Sequence, residues 1–242
     1  MIPILMYHQI TVPAQKGTRL RGSMVHPQRF AGQMRWLKRL GYTGLSLSEL
    51  DPYLKGEKQG RVVGITFDDG YQNVHDNALP VLTELGFSST NFIVSGEIDG
   101  ANTWAQATGS PAAKLMCAAS IRNWAQSGQE IGSHTVSHVR LAHVSTEEAL
   151  SQLKQSKEAL EQLLQQEISS FCYPYGSYSP EVKAQVKALG YQRAVTTERG
   201  LAGAQDEVHA LPRVNILRST HLLHFLRKVL TDYENKKRAG KD

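Results

Sequence analysis

The chain has only two cysteines in 242 residues, Cys117 and Cys172, and they stand far apart. That excludes a disulfide framework. Two free thiols in a reducing compartment is the simpler reading, with a single bridge as the alternative. Long apolar runs are missing too. No stretch approaches the ~20 residues of a bilayer span. The opening Met1-Ile2-Pro3-Ile4-Leu5-Met6-Tyr7-His8 has neither a basic leader nor an extended apolar core, so it does not read as a signal peptide. If the chain is full length, the expected location is cytoplasmic. Charge of one sign is in small surplus: 27 Lys and Arg against 22 Asp and Glu, part of it in Lys236, Lys237, Arg238 and Lys241. No basic stretch is interleaved with aromatics, which argues against a nucleic-acid partner. The C-terminal run, about 233–242, reads as a flexible, solvated basic tail, or more weakly as a patch that holds the protein peripherally at a membrane. Repeats, interdomain linkers and low-complexity blocks are absent as well. The length suits one domain over residues 1–242 with a substantial core.

What the chain does have is a carboxylate pair where an apolar strand stops. Val62, Val63, Ile65 and Phe67 read as a buried strand by their β-branched and aromatic content; Asp68 and Asp69 follow, and Gly70 ends the run. Ionised groups at such a place need a compensating task, typically metal binding or proton transfer. Neighbouring strand residues point to opposite faces, so the two carboxylates cannot share one role unless the chain turns there. The plain alternative is that one caps the helix starting near Val74 and the other is solvated. A second cluster decides between these readings. Glu130-Ile131-Gly132-Ser133-His134-Thr135-Val136-Ser137-His138 again runs from a short strand into a polar turn. His134 and His138, four apart, share a face if the segment turns helically. Two imidazoles and a carboxylate are a common donor set for Zn²⁺ and similar borderline cations, so a metal site is the better reading.

Around these clusters, strand and helix patterns alternate. Strands are expected at 2–7, 62–67, 89–94, 130–133, 170–173, 191–196 and 208–216. Helices are expected from His26-Pro27 to Gly41, from Ser48, over 77–85 up to Gly86, over 121–126, from Ser145 to about Gln166 behind the capping box Ser145-Thr146-Glu147-Glu148, over 180–189, and over about 219–230. Residues 96–111, rich in glycine, read as a long loop. Such alternation predicts an α/β protein with a parallel sheet wrapped by helices. Both clusters then fall at the C-terminal ends of strands, where these folds carry their sites.

Three motifs together make the chain resemble the polysaccharide deacetylases of carbohydrate esterase family 4. Thr66-Phe67-Asp68-Asp69-Gly70 is similar to that family's first motif and His134-Thr135-Val136-Ser137-His138 to its second. Phe171-Cys172-Tyr173-Pro174-Tyr175-Gly176 is similar to the third. The likeness runs from Met6-Tyr7-His8 to the last helix. It implies a single-domain, distorted (β/α)7-type barrel and metal-dependent removal of acetyl groups from an N-acetylated sugar. The resemblance makes Asp69, His134 and His138 ligands of a divalent metal, Zn by default, with Co or Ni as alternatives. It makes Asp68 the base that takes a proton from the attacking water. The backbone N–H of Tyr175 then suits an oxyanion. The implied partner is an N-acetylated glycan or a lipid- or nucleotide-linked sugar.

The chain departs from the family in two places. An apolar strand ending in the acid histidine is not evident late in the sequence, because Leu222-Leu223-His224 sits in a helical pattern and His224 reads as a surface residue. His8 instead ends the first strand, as in a subgroup with that motif moved to the front, the poly-β-1,6-N-acetylglucosamine deacetylases; this makes His8 the expected general acid. Its alternative is a strand-end histidine satisfied by backbone. At Cys172 many members carry an Arg that holds the base. Arg213, in Leu211-Pro212-Arg213-Val214, either supplies that charge to Asp68 or serves as an exposed salt-bridge partner. Tyr173 and Tyr175 either floor a sugar subsite or pack, and Trp104 either stacks on a sugar or anchors its loop. Thr66 and Thr135 are expected to support the ligands by hydrogen bonds; His75 and His143 are expected to be non-ligands. Competing functions are a related amide or O-acetyl ester hydrolase and a non-catalytic carbohydrate-binding relic. A glycosidase is disfavoured, since adjacent Asp68 and Asp69 would struggle to span ~5–10 Å across a glycosidic bond.

Overall fold

The strand from Val62 to Phe67 is buried along its whole length, the pattern of a strand covered on one side by helices and on the other by a filled barrel. The structure, a computed structural model, describes residues 1–106 and 109–239. Its strands are β1 (Ile4–Tyr7), β2 (Gln9–Ile10), β3 (Met24–Val25), β4 (Thr43–Leu45), β5 (Val62–Phe67), β6 (Thr90–Ile93), β7 (Glu130–Ser133), β8 (Ser170–Cys172), β9 (Arg193–Arg199) and β10 (Leu211–Asn215). The helices are α1 (Pro27–Arg39), α2 (Leu47–Leu54), α3 (Gln72–Leu85), α4 (Thr103–Gln106), α5 (Ala118–Gln126), α6 (Thr146–Leu164), α7 (Pro180–Ala188), α8 (Leu222–Leu230) and α9 (Tyr233–Ala239).

A seven-stranded parallel ring closes through β1. That strand pairs with β10 on one side (Leu5 opposite Val214) and with β5 on the other, from Ile4 opposite Gly64 to Tyr7 opposite Phe67. From β5 the ring runs through β6, β7, β8 and β9 back to β10. The expected α/β barrel is therefore the observed one. β4 is an additional strand: it pairs with the first half of β5, and β6 takes over the same edge in the second half. β2 and β3 form a separate two-stranded sheet. At two or three residues each, these elements carry too little periodicity to be legible in the sequence.

Helix starts follow local chemistry. Ser46, Ser145 and Ser179 each accept a backbone N–H from the first turn of α2, α6 and α7, and α1 begins with Pro27 behind a His26 cap. None of the helices among the described residues is long and apolar enough to cross a membrane. Both cysteines are free, so the disulfide alternative fails.

Two expectations need correction. Residues 96–111 are not simply a long loop: they hold α4, braced by buried Asn102, whose Oδ1 accepts the Ala113 N–H at 2.7 Å. The basic tail is not a solvated appendage from residue 233. Residues 233–239 form α9, and Glu234 is buried, paired with Lys228 at 2.7 Å and with Arg199. Arg238 reaches Glu198 and Asp206, both at 2.9 Å. Arg238 and Glu234 thus tie this segment to the barrel, which composition alone could not reveal, while Lys236 and Lys237 stay exposed. Lys241 lies outside the described residues.

Candidate active site

The site lies on one rim of the barrel. His8 follows β1, Asp68 and Asp69 follow β5, His134 follows β7, Cys172 ends β8, and Arg213 lies in β10. The parallel ladder continues one residue past the strands, with Asp68 N–H donating to Tyr7 O and His134 N–H to Ile93 O, both at 2.9 Å. Beyond that point the chain turns sharply. Asp69 has φ +77° and Gly70 φ +73°. A Cβ on Gly70 would also press on the Ile93 side chain at 3.0 Å, so glycine is needed there on both counts. This left-handed turn frees Asp69 from strand alternation, and both carboxylates face one cavity.

A similar device operates after β7. His134 to His138 form a tight turn rather than a helix, with Thr135 at φ +67° and His138 at φ +56°. Thr135 Oγ1 accepts the His138 N–H at 3.0 Å, and Gln152 Oε1 accepts the N–H groups of Val136 and Ser137. Left-handed non-glycine residues cost of order 1–3 kcal/mol each unless their surroundings fix them. Here Asp69, His138 and Tyr175 (φ +59°) all border the same cavity, and Thr135 lies next to His134, which does too.

The imidazoles converge on Asp69. Its Oδ1 lies 3.5 Å from His134 Nε2 and 3.2 Å from His138 Nε2. All three side chains are buried. His134 Nδ1 sits 2.7 Å from the Cys172 carbonyl; a carbonyl only accepts, so Nδ1 carries a proton and Nε2 is the nitrogen turned to Asp69, the one that would meet a cation. Two imidazole nitrogens and one carboxylate oxygen within 4.8 Å of one another fit a divalent borderline cation. Burial pushes the Asp69 carboxyl up, but its contacts with His134 and His138 outweigh this and hold it well below the usual range. It stays ionised, as a ligand must.

Asp68 is held differently. Arg213 Nη1 and Nη2 donate to Asp68 Oδ1 and Oδ2, each at 2.7 Å. Arg213 Nε donates to Thr196 O, Nη1 also to Thr66 Oγ1, and Nη2 also to Cys172 Sγ at 3.2 Å. All five guanidinium N–H groups are thereby used in a fully buried setting. The exposed alternative for Arg213 is ruled out. Burial raises the Asp68 carboxyl, Arg213 overcomes that, and the result lies below the usual range. Burial raises the Cys172 thiol, so it stays neutral beneath the fork, and its small side chain leaves the guanidinium room.

His8 stands across from this pair, Nε2 4.0 Å from Asp68 Oδ2, with 28 % of its side chain exposed. Its wall of the cavity continues with Met6 and Asn215, which the sequence reading missed; the cavity measures about 320 Å³. The lining also includes Leu20, Trp104 and Tyr175. Leu20 comes from a loop remote in sequence, so only the folded chain brings it there; Asn215 ends a strand as a polar residue, a signal equivalent to His8 after β1. Trp104 stacks on His138 at 4.5 Å with 20° between planes, and Tyr175 sets its ring edge-on to His138, also at 4.5 Å. Tyr173 is a correction: it is fully buried, donates its hydroxyl to His209 O and stacks on Tyr178, so it packs and floors no subsite. His75 bonds Asn123, and His224 packs near Tyr233 on α8, both away from the cavity.

A parallel barrel with a buried two-histidine, one-carboxylate cluster and a clamped second carboxylate at its rim is a hydrolase-like scaffold with a candidate metal site. Residues 55–194 match the polysaccharide deacetylase family model, and the chain belongs to that family. It is 31 % identical to the Bacillus subtilis protein YxkH, which carries the polysaccharide deacetylase name, over 89 % of this chain and 71 % of that one. It is 24 % identical to the poly-β-1,6-N-acetyl-D-glucosamine N-deacetylase of Staphylococcus epidermidis, over 81 % of this chain and 68 % of that one. The Streptococcus pyogenes deacetylase PplD, solved in complex with acetate, superposes with a TM-score of 0.82 at 29 % identity, covering 94 % of this chain and 97 % of the other. IcaB from Ammonifex degensii shares the fold at a TM-score of 0.78 and 21 % identity, covering 90 % and 93 %.

Proposed function

We propose that this protein is a metal-dependent N-deacetylase of N-acetylglucosamine-type glycans or their precursors, with Zn²⁺ as its metal. The observation that carries this reading is the division of labour between adjacent aspartates: Asp69 faces His134 and His138, and Asp68 is locked by Arg213 on the cavity floor. Asp69, His134 and His138 hold the cation. A bound divalent cation supplies Lewis acidity toward water and toward a carbonyl oxygen.

The chain's own residues do the rest. Asp68, kept ionised by Arg213, accepts a proton from the attacking water on a lone pair that Arg213 does not use. The new C–O bond forms at the acetamide carbonyl carbon, and the Tyr175 backbone N–H donates to the developing oxyanion. His8 gives a proton to the amide nitrogen as the C–N bond breaks, releasing acetate and the free amine. In this reading the acid stands directly after the first strand, β1. The cavity is small, apolar-walled and open on one side, which suits one sugar ring with its acetamide directed at the rim.

The test is acetate release from N-acetylglucosamine oligomers by protein loaded with Zn²⁺, Co²⁺ or Ni²⁺. Acetate release that requires the cation is expected, and His8→Ala should keep the cation while losing about 10²–10⁴-fold in kcat. Release from O-acetylated sugars alone would move the reading to an esterase. Cation-free protein without either activity would make it a binding module.

A further inference from the structure

The two histidines of the cluster are oriented by different means. His134 is fixed through its far nitrogen, Nδ1 to the Cys172 carbonyl at 2.7 Å. His138 has no such tether: its Nδ1 is buried and finds no hydrogen-bond partner among the described residues. Its ring is held instead by rings. Trp104 lies flat on it at 4.5 Å and 20°, and Tyr175 meets it edge-on at 4.5 Å and 73°. Tyr175 is in turn covered by the Arg140 guanidinium, 3.9 Å from its centroid. The column therefore runs Arg140, Tyr175, His138, Trp104.

Trp104 itself is braced from below. Asn102 is buried and accepts the Ala113 N–H, and Gly100 O accepts the Leu115 N–H at 3.0 Å. Met116 N–H donates to Gly70 O at 2.9 Å, and Gln72 N–H to Lys114 O at 3.0 Å. The segment that carries Trp104 is thus pinned to the same turn that aims Asp69. One face of the indole is spent on His138, which leaves less of the ring for a sugar.

From this geometry we propose that Trp104 and Tyr175 are positioning residues for His138, a π-clamp that stands where a hydrogen-bonded outer partner usually orients a metal-bound histidine. The clamp fixes the direction of the Nε2 lone pair and so sets the affinity of the site for its cation. It rests on the proposed function only for the existence of the cation site. Loss of an outer partner of a ligating histidine typically costs 10–100-fold in metal affinity, and loss of the clamp acts at the same point.

The experiment measures the Zn²⁺ and Co²⁺ dissociation constants of the full chain by competition with a chromophoric chelator, together with the Co²⁺ visible absorption bands. Trp104→Ala is expected to weaken binding about tenfold or more and to alter the bands, while Trp104→Phe, which keeps a flat ring, retains most of the affinity. Tyr175→Leu is the second variant should Trp104→Ala fail to fold, and it is expected to weaken binding in the same direction. Wild-type affinity in both Trp104→Ala and Tyr175→Leu, with only KM for the sugar raised, would overturn the clamp and make the two rings a sugar platform. A wild-type chain that takes up no cation would overturn the cation site as well, so the two failures are distinguishable.

Discussion

At the scale of single residues, the site is governed by what sits next to each carboxylate. Asp68 and Asp69 are chemically identical and adjacent, yet one contacts a guanidinium and the other two imidazoles. Spacing and strand ends pointed to His134, His138 and the Asp68-Asp69 pair as a whole; the family resemblance singled out Asp69 within that pair and, through the Arg missing at Cys172, Arg213. The sequence could not tell whether Arg213 was buried, because that depends on β10 lying beside β1. Tyr173 misled for the same kind of reason: an aromatic at a strand end is exposed or packed according to what the next helix does, and here Tyr178 covers it. The Asp68–Arg213 pair gives a pH prediction. Burial raises the Asp68 carboxyl and Arg213 lowers it past its ordinary value. Removing Arg213 leaves burial unopposed, so the acid limb of kcat/KM, which on the proposed mechanism reports ionised Asp68, should move to higher pH. Arg213→Lys keeps a charge but loses the fork, and its limb should fall between wild type and Arg213→Ala. Arg213→Ala should also lose about 3–5 kcal/mol of stability, because it leaves a buried carboxylate unpaired. An acid limb that stays in place in both variants would remove Arg213 from any role in steadying the base.

At the scale of elements, legibility followed length and local chemistry. The helices behind Ser145 and Pro180 start where their caps stand in the sequence. The α3 helix stops at Gly86, which takes φ +63°. β4, β2 and β3 are too short to show a period, and α9 was hidden by its basic composition. Its anchor is Glu234, buried between Lys228 and Arg199. Lys228 also donates to Asn215 O at 3.1 Å, so this joint supports the end of β10, where Asn215 faces the cavity. Burial raises the Glu234 carboxyl, but its bonds to Arg199 and Lys228 more than offset that and depress it. A depressed carboxyl contributes stability that is present above its unfolded value, about 4.3, and is lost as pH falls through the folded one. Glu234→Gln should therefore be destabilised at pH 7, on the order of 3 kcal/mol, since Lys228 is left buried without its partner. In urea melts the gap between wild type and Glu234→Gln should narrow as pH drops below about 4. A gap that is constant with pH would mean that the ion pairs contribute nothing and that α9 docks by packing alone.

At the scale of the whole molecule, the proposed cation site joins parts of the barrel that are distant in sequence. Asp69 belongs to the turn after β5, His134 and His138 to the turn after β7, and the Cys172 carbonyl that orients His134 to β8. The strand β6 lies between β5 and β7, so the ligands span three neighbouring strands of the ring rather than a single loop. No two of these segments are held at that spacing in the unfolded chain, and a cation that prefers the three-donor arrangement binds the folded state selectively. Such selective binding stabilises by mass action, about 2.7 kcal/mol when the free cation stands at 100 times its Kd. For a domain of this size each kcal/mol moves the melting temperature by about 2–4 °C, so the shift should be about 5–11 °C. Scanning calorimetry with Zn²⁺ and with excess chelator should show that difference in the wild type. His138→Ala should melt at the same temperature in both conditions, because one of three ligands is gone. Trp104→Ala should keep the shift but require more Zn²⁺ to reach it, since its loss weakens the site without removing a donor. A wild-type melting temperature indifferent to chelator would show that the three donors, although gathered by the fold, do not couple a cation to its stability.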